Sequence, residues 1–96
     1  MKFKLAAIFE PTSSRRKVIV DAVKKAGLKI SAATSPEALS KEQLVIVGIS
    51  LKSPSRLVKE IRSKLPDVLI YAAQAKGFKA AFADGVLPVP VSSNDL

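Results

Sequence analysis

The sequence predicts a three-layer α/β domain, with helices packed on both faces of a parallel five-stranded sheet. Three observations carry that expectation. Short apolar runs punctuate the chain at residues 3–9, 28–33, 44–49, 68–73 and 86–91. Helix-patterned segments separate them, and such alternation builds βαβ units with right-handed crossovers. The third run, Leu44-Val45-Ile46-Val47-Gly48-Ile49, is apolar at successive positions. Both of its faces therefore expect cover, as a parallel strand between two layers requires.

Taken in order, residues 3–9 form the first strand. Residues 13–26 form a helix, because Ile19, Ala22, Val23 and Ala26 recur at i, i+3, i+4 and i+7. Thr12 or Ser13 is placed to cap its start and Gly27 to end it in the left-handed conformation. Residues 28–33 make a weaker second strand. Ser35-Pro36-Glu37-Ala38-Leu39 opens a single helical turn, since proline suits the first helical position. After the third strand, Ser53-Pro54 starts a helix with Leu57, Val58, Ile61 and Leu65 on one side and a Glu60–Lys64 pair on the other; Pro66 ends it. The fourth strand covers 68–73. Phe78, Ala81 and Phe82 give a short helix stopped by Gly85, and 86–91 is the fifth strand. The economical sheet order is the flavodoxin-like 2-1-3-4-5. The last helix of that architecture is missing or truncated, since only Ser92-Ser93-Asn94-Asp95-Leu96 remain. A truncated chain, a partner or second copy over the face beside helix one, or a tolerated apolar patch would each account for this.

Ninety-six residues at 48% hydrophobic form one domain, 1–96, consistent with the N-terminal part of a longer protein. No apolar run is long enough to span a bilayer, and Met1-Lys2-Phe3-Lys4 leads into Glu10-Pro11 without a cleavage site, so the cytoplasm is the expected location. The chain has no cysteine and no histidine. That excludes disulfides, thiolate and imidazole metal sites, cysteine nucleophiles, histidine bases and phosphohistidine. Glycines 27, 48, 77 and 85 have no phosphate-loop spacing, and no nucleotide or other cofactor is expected. Sixteen basic residues against eight acids give a net charge of +8, which favours an acidic partner. Half of the basic residues lie within the first 30 positions, opposed there by Glu10 and Asp21 alone.

Ser35-Pro36-Glu37-Ala38-Leu39, Gln43-Leu44-Val45-Ile46-Val47-Gly48-Ile49 and Gly85-Val86-Leu87-Pro88-Val89-Pro90-Val91, in that order and spacing, resemble the receiver domains of bacterial response regulators. The resemblance runs nearly the length of the chain. It implies a fold in which an aspartate ending strand three accepts a phosphoryl group. Two acids ending strand one help that aspartate hold Mg²⁺ by oxygen ligands. A hydroxyl ending strand four and a lysine on strand five then meet the phosphoryl oxygens. Carried over residue by residue, the acceptor position is Gly48, the hydroxyl position Ala72, and the lysine position Val89 ahead of Pro90. The acidic pair falls at Phe9 and Glu10, of which only Glu10 could ligate a metal.

The resemblance thus implies a pseudo-receiver: the fold of a phosphorylation switch without its metal site or its acceptor. The expected role is a non-catalytic regulatory or targeting module in bacterial signalling, acting by protein–protein contact or as a homodimer. The expected contact surface is helix one, through Arg15, Arg16, Lys17, Lys24 and Lys25, and the face beside it. A small basic nucleic-acid-binding protein using the same residues is the alternative, without a recognition motif to support it.

Overall fold

The computed structural model describes residues 4–48, 52–74 and 83–88. Its elements are β1 (Leu5–Phe9), α1 (Ser13–Lys25), β2 (Lys29–Ile30), a one-turn 3-10 helix (Pro36–Ala38), β3 (Leu44–Val47), α2 (Pro54–Lys64), β4 (Leu69–Gln74) and β5 (Gly85–Pro88). The strands form one parallel sheet in the order β2-β1-β3-β4-β5. This is the predicted topology, with β3 at the centre.

Strand periodicity divides the core into two layers. Ala6 and Ile8 of β1, Leu44 and Ile46 of β3, and Ala73 point to one side, where Ile19, Ala22 and Val23 of α1 cover them. Ala7, Phe9, Val45, Val47 and Ile70 point to the other, under Val58 and Ile61 of α2 and Leu39. All four residues of β3 are fully buried. Burying each such side chain is worth roughly 1.5–3 kcal/mol, so the central strand anchors both layers.

The element ends differ from the sequence expectation in ways the local chemistry explains. Strand β2 pairs over two residues rather than six, although Ser31 N still donates to Ala6 O at 2.7 Å. Beyond it, Ser31 Oγ accepts a bond from Ala33 N (3.1 Å) and turns the chain away from the sheet. The turn opened by Ser35-Pro36 stops at three residues because Leu39 is extended (φ −71°, ψ 141°) and its side chain is buried. Gly27 does end α1, with φ +94°, a conformation in which a Cβ is strained. Thr12 makes no side-chain capping bond. Glu60 pairs with Arg56 (4.0 Å), one turn back, instead of with Lys64. Gly85 begins β5 opposite Tyr71. The short helix expected around Phe78, Ala81 and Phe82, the end of strand five, and the segment 92–96 that bears on the last helix all lie outside the described residues.

Candidate functional site

The site is built where β1 and β3 end side by side. Phe9 pairs with Val47 in the last register position, so Glu10 and Gly48 are the next neighbours at the carboxyl edge of the sheet. Gly48 N extends the ladder by donating to Phe9 O at 2.8 Å. In a 2-1-3-4-5 sheet the connections diverge at this point, leaving a crevice at the strand ends.

Glu10 fills it. The residue is 6% exposed, and its Oε2 accepts a hydrogen bond from Thr12 N at 2.7 Å. A carboxylate at this place satisfies backbone at the start of α1 and lies favourably at the positive end of the helix dipole. α1 itself has no acidic residue in its first turn. The Glu10 side chain also lies directly over Gly48. A Cβ on Gly48 would stand 2.7 Å from both Cβ and Cδ of Glu10, and closer still to Oε1. Its φ is not positive, so glycine is required here for space rather than for backbone conformation. Displacing Oε1 would take only a rotation of Glu10, whereas relieving its Cβ needs the backbone to move.

Of the other pocket positions taken from the resemblance, Ala72 sits on β4 paired with Val47, fully buried and without a hydroxyl to offer. Val89 and Pro90 lie outside the described residues. Among the described residues no group of three acidic or imidazole side chains converges on one point. Glu10 is the one carboxylate among the described residues where β1 and β3 end, and its Oε2 is already bonded to backbone. This donor set does not fit a Mg²⁺ cage, which needs several oxygen ligands in octahedral array.

Beside Glu10 a shallow cleft of about 320 Å³ opens toward β2, lined by Ile8, Phe9, Glu10, Pro11, Arg16 and Thr34. Arg16 does not project into solvent with its basic neighbours. It is half-buried, and its Nη1 donates to Ile8 O at 2.5 Å. A signal for this was present in the sequence: Arg16 stands three residues before Ile19 and seven before Val23, on the inward stripe of α1. Arg15, Lys17, Lys24 and Lys25 are exposed. They separate toward the two ends of a helix that rises about 1.5 Å per residue, so Arg15 and Lys24 are about 14 Å apart along it. Val18 on the same outer side is 42% exposed, the one large apolar side chain so exposed among the described residues.

A second buried polar group was not foreseen. Glu42 Oε2 accepts the hydroxyl of Ser31, while Oε1 accepts Ser40 N (2.7 Å) and Lys41 N (3.0 Å). Burial acts to raise the Glu42 pKa, but the bonds from Ser31, Ser40, Lys41 and its own backbone outweigh it and hold the carboxyl below its usual value. This latch ties the turn after β2 to the approach of β3. It structures the loop region and touches neither Gly48 nor the cleft residues through any of these bonds.

No family model matches the chain, and no curated protein sequence does either. Solved structures do match. The chemotaxis response regulator CheY4 of Vibrio cholerae superposes with a TM-score of 0.69 at 18% identity, covering 99% of this chain and 92% of that one. A response regulator protein from Burkholderia multivorans gives 0.61 at 19% identity, with 97% and 88% covered. The fold is that of the response-regulator receiver domain. Among the described residues, no helix is long and apolar enough to cross a membrane.

Proposed function

We propose that this chain is a pseudo-receiver: a non-catalytic, phosphorylation-independent module of bacterial signalling that works in the cytoplasm by contact with other proteins. The observation that carries this reading is the Glu10–Gly48 contact. The place where the fold's acceptor side chain would project holds a glycine, and the volume above it belongs to Glu10. Position 48 itself carries no nucleophile, and among the described residues Glu10 alone cannot assemble the cation site that phosphoryl transfer needs. Regulation would then come from the presence or absence of a partner rather than from a covalent mark.

The exposed side of α1 is the contact surface that best fits a protein partner. Val18 offers a small apolar centre, with Lys17 and Asp21 beside it, and such a charged rim around an apolar point favours protein recognition. The fold of the two bacterial response regulators supports a signalling setting.

The test is an amide NMR titration with acetyl phosphate and with beryllofluoride, each in the presence of Mg²⁺. The expected result is no saturable shift at Gly48 or Ala72 and no gain in mass. Saturable shifts there, or a stable phosphoryl adduct, would overturn the reading.

A further inference from the structure

At the amino edge of the sheet, opposite Glu10 and Gly48, parallel pairing gathers lysines that are distant in sequence. Lys29 N donates to Lys4 O at 2.9 Å, where β2 and β1 start side by side. Lys24 and Lys25 end α1 only a tight turn before Lys29. Lys4 N in turn donates to Gln43 Oε1 (2.6 Å), which places Lys41, two residues before Gln43, at the start of β3. All five lysines are exposed, and among the described residues none is in an ion pair. Adjacent strands lie about 4.8 Å apart, so the three strand starts span about 10 Å.

The acids nearby do not neutralise this group. Glu42 is buried and turned inward to Ser31 and backbone amides. Asp21 stands one turn before Lys25 on α1, a single exposed acid beside five lysines. Asp67 and Asp84 precede β4 and β5 on the other half of the edge, where Arg62 already binds Asp84 at 3.1 Å. The edge is therefore polarised: basic at β2-β1-β3, balanced at β4-β5, where Arg62 and Lys64 end α2 beside Asp67 and Asp84.

We propose that Lys4, Lys24, Lys25, Lys29 and Lys41 form a docking surface for the phosphodiester backbone of nucleic acid, read without regard to sequence. The composition of the surface selects this partner over an acidic protein. Protein interfaces gain their affinity from aromatic and arginine anchors and are depleted in lysine. Here every charged group is lysine, and none of the five is adjacent to an exposed aromatic among the described residues. Phosphates are met by such point charges, with affinity driven by counterion release. This function is additional to the protein contact proposed above and uses the amino edge of the sheet and the end of α1 rather than the helix side around Val18.

Fluorescence anisotropy with a labelled 20-base-pair duplex, from 50 to 200 mM salt, tests it. Saturable binding is expected at micromolar protein in low salt. Four phosphate contacts give a log–log salt slope of about −3.6, a loss of about a hundredfold over that range. Replacing Lys4, Lys24, Lys25 and Lys29 by Glu should weaken binding at least tenfold and flatten the slope. The same four changes to Gln, gentler on the end of α1, should lower it in the same direction. Lys52→Glu, Arg56→Glu and Lys59→Glu together, on and before α2, should change it less than threefold. Absence of saturable binding at 50 mM salt would overturn the proposal. So would equal losses in the two sets, which would mean diffuse net charge. Binding to phosphatidylserine vesicles but not to the duplex would also refute it, by placing a membrane surface in the partner's role.

Discussion

The two edges of this sheet use charge in opposite ways. At the carboxyl edge, Glu10 and Arg16 are drawn inward, one over Gly48 and onto Thr12 N, the other onto Ile8 O. At the amino edge, among the described residues, five lysines stay in water without ion pairs while the one buried acid, Glu42, is satisfied internally. Receiver folds carry their chemistry at the carboxyl edge. Here Glu10 covers Gly48 at that edge, while lysines stay exposed at the other edge and on the outer side of α1. A shared fold places a site; the side chains decide whether the site is open.

The largest effect expected from challenging this contrast is at Gly48. Gly48→Asp puts a branched carboxylate into the space of Glu10, and overpacking of this kind should cost roughly 2–3 kcal/mol, read as a lower urea midpoint at unchanged m-value. Next is the Glu42 latch. Ser31→Ala removes a bond to a buried carboxylate and should cost roughly 1.5–2 kcal/mol. Because the pKa of Glu42 is lowered in the folded state, its stabilisation is fully present above the unfolded value of about 4.3. It is lost as pH falls through the lower folded value. Urea midpoints measured across the acid range should therefore fall less steeply for Glu42→Gln than for the native chain. The smallest effect belongs to the open edge. Lys24→Glu opposes the helix dipole at the end of α1 but breaks no ion pair among the described residues, so thermal melts should show a loss below about 1 kcal/mol. A large loss there would mean that the lysines support the fold, and the contrast between the edges would fail.

Much of this was legible in the sequence, and the exceptions share a cause. The strand order and the two-layer core followed from period-2 and period-3.6 patterning, which depends on each segment alone. Gly48 and Ala72 could be placed because strand ends register with one another in a parallel sheet. The role of Gly48 could not, since it depends on Glu10 folding across from β1, a contact between residues far apart in sequence. Arg16 was grouped with its exposed neighbours although its spacing to Ile19 and Val23 put it on the inward stripe. The short β2 followed from the Ser31 side chain competing for backbone bonds, a local effect that hydrophobic pattern does not register. The lysine group emerges only when β2 pairs with β1, because Lys4 and Lys29 are neighbours through the sheet and not through the chain.

A double-mutant cycle on Glu10 and Gly48 tests the central claim that the acceptor end is occupied by Glu10. Gly48→Ala should destabilise the native chain by roughly 1–2 kcal/mol. In a Glu10→Gly background, which removes the Glu10 Cβ as well as its carboxylate, the added methyl should cost less than about 0.5 kcal/mol, giving a coupling of roughly 1 kcal/mol between the two positions. Equal costs in the two backgrounds would show that Glu10 does not fill the space above Gly48, and the closed-edge account would be wrong.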